Sequence, residues 1–79
     1  MSIEAKVQEI FKQVLDVDSN EIQPDEPLDT SLDVDSTELV EISVGLKKAL
    51  NVPLADNELK KTQSFNDIVG VLKSKGVEV

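Results

Sequence analysis

The sequence predicts an all-α fold, a small helical bundle of three long helices plus one short helix, with a long first loop. Three observations predict it. Apolar residues recur at spacings of three and four in separate segments, the period of a helix face. No segment alternates convincingly as a strand would. The chain has 79 residues and no cysteine, so one domain over residues 1–79 is expected, with a modest core and no disulfide to staple it.

The first helix is expected from Ile3 to Leu15. Ile3, Val7, Ile10 and Val14 share one face, with Phe11 beside them. Ser2 can cap it and Glu4 suits the positive end of its dipole. A loop follows from Asp16 to Asp35 and holds Pro24 and Pro27. Loops beyond ~12–15 residues in compact domains tend to be functional or mobile. Ile22, Leu28 and Leu32 are expected to pin this one to the core.

The next long helix runs from Ser36 to Leu50. Leu39, Leu46 and Leu50 form its core stripe, with Ile42 and Ala49 at the edge. Asn51-Val52-Pro53 ends it, because proline disfavours helix at the residue before it. The short helix is expected from about Asp56 to Lys61, anchored by Leu59. The last helix opens at Ser64. Ser64-Phe65-Asn66-Asp67 reads as a capping box with Asp in place of the usual Glu or Gln. Phe65, Ile68, Val69 and Leu72 are its buried face, Lys73 and Lys75 suit its negative end, and Gly76 is its stop.

Charge narrows the possible partners. Sixteen acids face eight lysines and no arginine, a net charge of −8. That opposes phosphate neutralisation, so no nucleic acid partner is expected. Ten of the acids lie between Asp16 and Glu41, and no lysine falls between Lys12 and Lys47. Such polarity steers a partner bearing a basic patch, and it equally keeps a small protein soluble. No apolar run is long enough to span a bilayer, and no basic segment precedes an apolar one at the start. A soluble, cytoplasmic monomer without membrane insertion is the expectation.

The acids invite a calcium loop, which the spacing rejects. Asp16, Asp18 and Asn20 alternate as in an EF-hand, but Glu21 stands where the sharp turn needs Gly and Pro27 where the bidentate Glu belongs. The register from Asp33 fails likewise at Glu38 and Val44. No metal site is expected. Nor is a catalytic one. Ser36 would need a base to attack anything, and the chain has no histidine and no lysine within ten residues of it.

Two readings of Ser36 stay open at this point. In the plain one, Asp35 and Glu38 are a capping pair and Ser36 is the first helical residue. In the other, its outward hydroxyl is an attachment point that other proteins come to. A phosphate there would sit at the positive end of the helix dipole. Val40 and Val44 lie ~100–160° from the core stripe, near Thr37 and Glu41, as an apolar patch on the exposed flank. They are either scattered surface residues or a docking surface.

Asp33-Val34-Asp35-Ser36-Thr37, followed by Glu38-Leu39-Val40-Glu41-Ile42, resembles the serine motif of the acyl carrier proteins. That family is a small acidic helical bundle with a serine opening its second helix, usually within Gly-x-Asp-Ser-Leu. The likeness spans essentially the whole chain. It implies no enzymatic activity of its own, and 4′-phosphopantetheine attached at Ser36 by a phosphopantetheinyl transferase, with Asp35 as the preceding acid. It implies a partner-facing surface at Thr37, Glu38, Val40, Glu41 and Val44. Partners would be an acyl ligase, ketosynthase or acyltransferase with basic docking patches, in fatty acid, lipid or polyketide-type synthesis. A peptidyl or aminoacyl carrier of nonribosomal type, and an unmodified acidic adaptor, are the alternatives.

Three departures stand out. Asp33 replaces the motif's glycine, which would alter the turn before the serine. Thr37 replaces the leucine after it. Lys47 and Lys48 stand where an acidic run is usual, which implies a specialised carrier. Leu39, Leu46 and Ile68 are candidates for lining an acyl pocket, or are simply core residues.

Overall fold

A computed structural model describes residues 2–55 and 58–77. Four α-helices follow in order: α1 (Ile3–Leu15), α2 (Leu28–Ser31), α3 (Ser36–Leu50) and α4 (Phe65–Ser74), with a 3-10 turn at Ser19–Glu21. Three helices are long and one is short, as the periodicity predicts. The short one lies elsewhere than expected, inside the first loop. The expected start at Asp56 lies outside the described residues, and Glu58–Lys61 forms turn and bend rather than helix. Leu59 is nevertheless buried there, so its anchoring role holds without the helix.

Each long helix starts on a side-chain cap. Ser2 Oγ accepts from Ala5 N at 3.1 Å. Ser64 Oγ accepts from Asp67 N at 3.1 Å, while Asp67 Oδ2 accepts from Ser64 N at 3.1 Å, so aspartate completes the capping box. The ends are left-handed residues. Asp16 stops α1 at φ 56° and Asn51 stops α3 at φ 51°, each donating its N–H four residues back. Asn51, not the proline beyond it, therefore ends α3. Gly76, at φ 78°, closes α4 as its sequence position suggests.

α1 packs on both α3 and α4. Val7, Phe11, Ile42, Leu46, Ile68 and Leu72 are essentially inaccessible to solvent. Phe11 meets Phe65 edge-to-face, with centroids 5.7 Å apart at 89°. Gly45 allows α3 to approach α1 closely, since a Cβ there would lie 3.1 Å from Ile10 Cγ2. The core stripe of α3 is centred differently from expectation. Ile42 and Leu46 are its centre, Leu39 and Leu50 are half-buried, and Ala49 is exposed near the helix end.

The first loop is tied to the segment before α4 by main-chain bonds. Leu28 N donates to Gln63 O and Asp29 N to Lys61 O, both at 2.9 Å. Asn66 N donates to Pro24 O at 3.0 Å and its Nδ2 to Asp25 Oδ1 at 2.8 Å. Leu28 is fully buried, Ile22 nearly so, and Leu32 half-buried. Leu28→Ala should cost about 2–5 kcal/mol in urea unfolding, and Leu32→Ala clearly less.

A second tie holds Glu58 to the end of α4. Lys75 Nζ lies 2.6 Å from Glu58 Oε2, and Ala55 N donates to Glu58 Oε1 at 2.8 Å. The lysine first, then the amide, hold the Glu58 carboxyl below its usual range. A depressed folded pKa gives stabilisation that is complete above the ordinary glutamate pKa and is lost as pH falls through the lower folded value. Lys75→Met should flatten that acid limb, read by urea unfolding between about pH 6 and about pH 3.

Candidate attachment site and docking flank

Three consecutive residues set the site. Asp33 has φ 55°, a conformation that glycine adopts at least cost, so a glycine-like turn is made by aspartate. The departure from the motif's glycine therefore changes the residue rather than the kind of turn. Val34 is then driven into the core and is nearly fully buried, with its N–H donating to Leu28 O at 3.3 Å. Asp35 turns outward as the cap of α3. Its Oδ1 accepts from Glu38 N at 2.7 Å, and Glu38 Oε1 accepts from Asp35 N at 3.1 Å.

Ser36 is the first residue of α3 and is exposed. Among the described residues its hydroxyl has no hydrogen-bond partner, and the N–H groups of Ser36 and Thr37 have no protein acceptor. The capping box satisfies Glu38 N and leaves these first two donors pointing past the helix end. The arrangement suits an attached phosphate: a free hydroxyl, open amides and the positive end of a long helix dipole. No histidine or lysine stands within ten residues of Ser36 in sequence, and Lys12 pairs with Asp18 at 2.9 Å and Asp16 at 3.5 Å. That pairing also engages two of the acids weighed as calcium ligands.

The flank weighed as a docking surface is exposed. Thr37 and Glu41 are exposed, and Val40 and Val44 are the large apolar residues most open to solvent, at 58% and 40%. Glu38 is half-buried, with one oxygen engaged in the cap. Beside this flank runs a groove of about 260 Å³ lined by Leu39, Val40, Ser43, Val44, Lys47 and Leu59. Of the three pocket candidates from sequence, Leu39 lines it. Leu46 and Ile68 do not, because they are fully buried in the core beneath. Ser43 and Leu59 were invisible as a site, since only the fold brings the 58–63 segment against α3.

An exposed hydroxyl with open amides at a helix start, and an acidic flank alongside, fit a carrier domain. The comparisons agree. The family described as phosphopantetheine attachment site matches residues 5–72. An acyl carrier protein of Petrotoga mobilis is 34% identical over 70 residues, 89% of this chain and 82% of the relative. Those of Desulforapulum autotrophicum and Solidesulfovibrio magneticus are 32% and 29% identical, over 95% of this chain and 99% and 96% of theirs. The chain belongs to the acyl carrier protein family, with a domain for phosphopantetheine attachment, and its role is that of a non-catalytic carrier. Among the described residues no helix is long and apolar enough to cross a membrane.

Two substitutions test the turn. Asp35→Ala should destabilise by about 1 kcal/mol through loss of the cap. Asp33→Ala should cost about 1–2 kcal/mol in the left-handed conformation, while Asp33→Gly should stay within about 0.5 kcal/mol of the parent.

Proposed function

We propose that Ser36 is the attachment serine and that the chain carries acyl intermediates on 4′-phosphopantetheine for a dedicated set of partner enzymes. The observation that supports this most is the free, exposed Ser36 hydroxyl at the start of α3, set there by the buried Val34 and the Asp35 cap. In loading, the Ser36 Oγ–P bond forms and the pyrophosphate P–O bond of coenzyme A breaks. Adenosine 3′,5′-bisphosphate leaves, and the serine proton passes to the transferase. The Ser36 and Thr37 amides face the incoming phosphate, and the helix dipole favours its charge. Once bound, the arm supplies a thiol that holds acyl groups as thioesters. The loading step belongs where coenzyme A and the transferase meet, in the cytoplasm.

Partner choice rests on the flank. Val40 and Val44 give an apolar patch beside Thr37, and Glu38 and Glu41 give it negative charge, so a basic patch on a transferase, ligase, ketosynthase or acyltransferase would engage it. At the far end Lys47 and Lys48 are exposed and invert the sign. A partner made for this carrier would place an acid opposite them, which a general fatty-acid enzyme would lack.

Intact mass provides the test. Incubation with coenzyme A, magnesium and a broad-specificity phosphopantetheinyl transferase should add one phosphopantetheine, and Ser36→Ala should add none. No gain in the parent, or an equal gain in Ser36→Ala, overturns the assignment. A housekeeping ketosynthase that handles its acyl form as efficiently as that of a general carrier would overturn the dedicated-partner reading alone.

A further inference from the structure

The groove beside α3 differs from a plain apolar slot. Its walls at Leu39, Val40, Val44 and Leu59 are apolar, but Ser43 and Lys47 also line it, and among the described residues no carboxylate does. On a chain with a net charge of −8, a groove whose lining charge is positive stands apart. Ser43 and Lys47 are four residues apart and so share one side of α3. Lys6, Lys12 and Lys75 each pair with an acid; Lys47, like Lys48, Lys60, Lys61 and Lys73, makes no ion pair among the described residues, and of these five it is the one that lines the groove. Ser43 is half-buried, and its hydroxyl, without a hydrogen-bond partner among the described residues, stays open to solvent. A lysine stem lying over valines to keep its ammonium in water would account for Lys47 alone. It leaves the open hydroxyl beside it without a role.

We propose that the groove selects acyl cargo whose far end is a carboxylate, received by the Lys47 ammonium and the Ser43 hydroxyl. The inference rests on the carrier reading above. Polarity is ordered along the helix in the right sense. Measured along the axis from Ser36, Leu39 and Val40 come within about 6 Å, Ser43 at about 10 Å and Lys47 at about 16 Å. Methyl groups therefore stand on the serine side of the groove and the charge on its far side. A simple alkyl chain would gain the walls but leave both polar groups unmatched, whereas a terminal carboxylate supplies an acceptor for each.

The test compares cargo of equal length. The protein is loaded with hexanoyl or adipoyl phosphopantetheine from the corresponding coenzyme A thioesters, with loading read by intact mass. Backbone amide shifts are then compared with those of the unacylated form. The adipoyl form should move the Ser43 and Lys47 amides about two- to fivefold more than the hexanoyl form, the scale of one partly exposed charged contact. Lys47→Met should abolish that excess, Ser43→Ala should reduce it, and Lys73→Met should leave it intact. Equal shifts for the two cargoes, or an excess that survives Lys47→Met, overturn the selection. Absence of any mass gain overturns the carrier reading, and the selection with it.

Discussion

The structure depends on a reversal over three residues. Val34 must be inside and Ser36 outside, and the chain has only Asp35 between them. The burial of Val34 supplies the driving force, because a valine side chain removed from water contributes about 1.5–3 kcal/mol. The left-handed Asp33 turns the chain so that this burial is possible. The Asp35–Glu38 box then fixes the first turn of α3, so the residue after the cap faces solvent. Without Val34 as a pin the start of α3 could slide, and the Ser36 hydroxyl would have no fixed position.

That reversal needs a rigid floor, and the floor is made of loops. Leu28 O accepts from both Leu32 N and Val34 N, so the single turn of α2 holds the approach to Ser36. α2 is itself fastened by Leu28 and Asp29 to Gln63 and Lys61. The same segment continues into the Ser64 cap, whose helix packs on α1. The first loop is therefore long in sequence but short of freedom. Four backbone or amide bonds and the buried Ile22 and Leu28 replace the regular structure it lacks.

The legible parts of the sequence were those with a period or a cap. α1, α3 and α4 follow from their apolar spacing, and the starts at Ser2, Asp35 and Ser64 from side chains that accept the first free amides. The invisible parts are contacts between segments. Val34, Val52 and Leu54 are buried, yet each stands alone between polar or proline neighbours with no face to reveal it. The Asp56–Lys61 segment has apolar Leu59 and helix-compatible neighbours. Over its described residues, 58–61, burial of one side chain and the Glu58–Lys75 tie serve without a helix. Among the candidate site residues, the exposed positions of Ser36 and Asp35 at the start of α3 and of the valine flank were readable from helix geometry, while the attachment role proposed for Ser36 came from the family resemblance. The groove was not, because Leu59 reaches it from another segment and the true stripe of α3 leaves Leu39 only half-covered.

Charge gives the molecule its remaining direction. Acids crowd the approach to Ser36 and the first half of α3, and lysines occupy its last turn. Lysines there are favourable to the helix on their own account, since they meet the negative end of its dipole. Helix stability alone would therefore accept Lys47 and Lys48 as freely as any exposed pair. Their positions differ, however. Lys48 lies on the open side of α3, while Lys47 borders the groove with Ser43 and Leu59. One favourable term at the helix end thus has two separate consequences. On the open side the reversal of sign is presented to whatever protein docks along Val40 and Val44. Inside the groove the same charge acts on whatever the serine's arm delivers. In the proposed reading partner choice and cargo choice therefore meet on shared residues, because Val40, Val44 and Lys47 belong both to the exposed flank and to the groove.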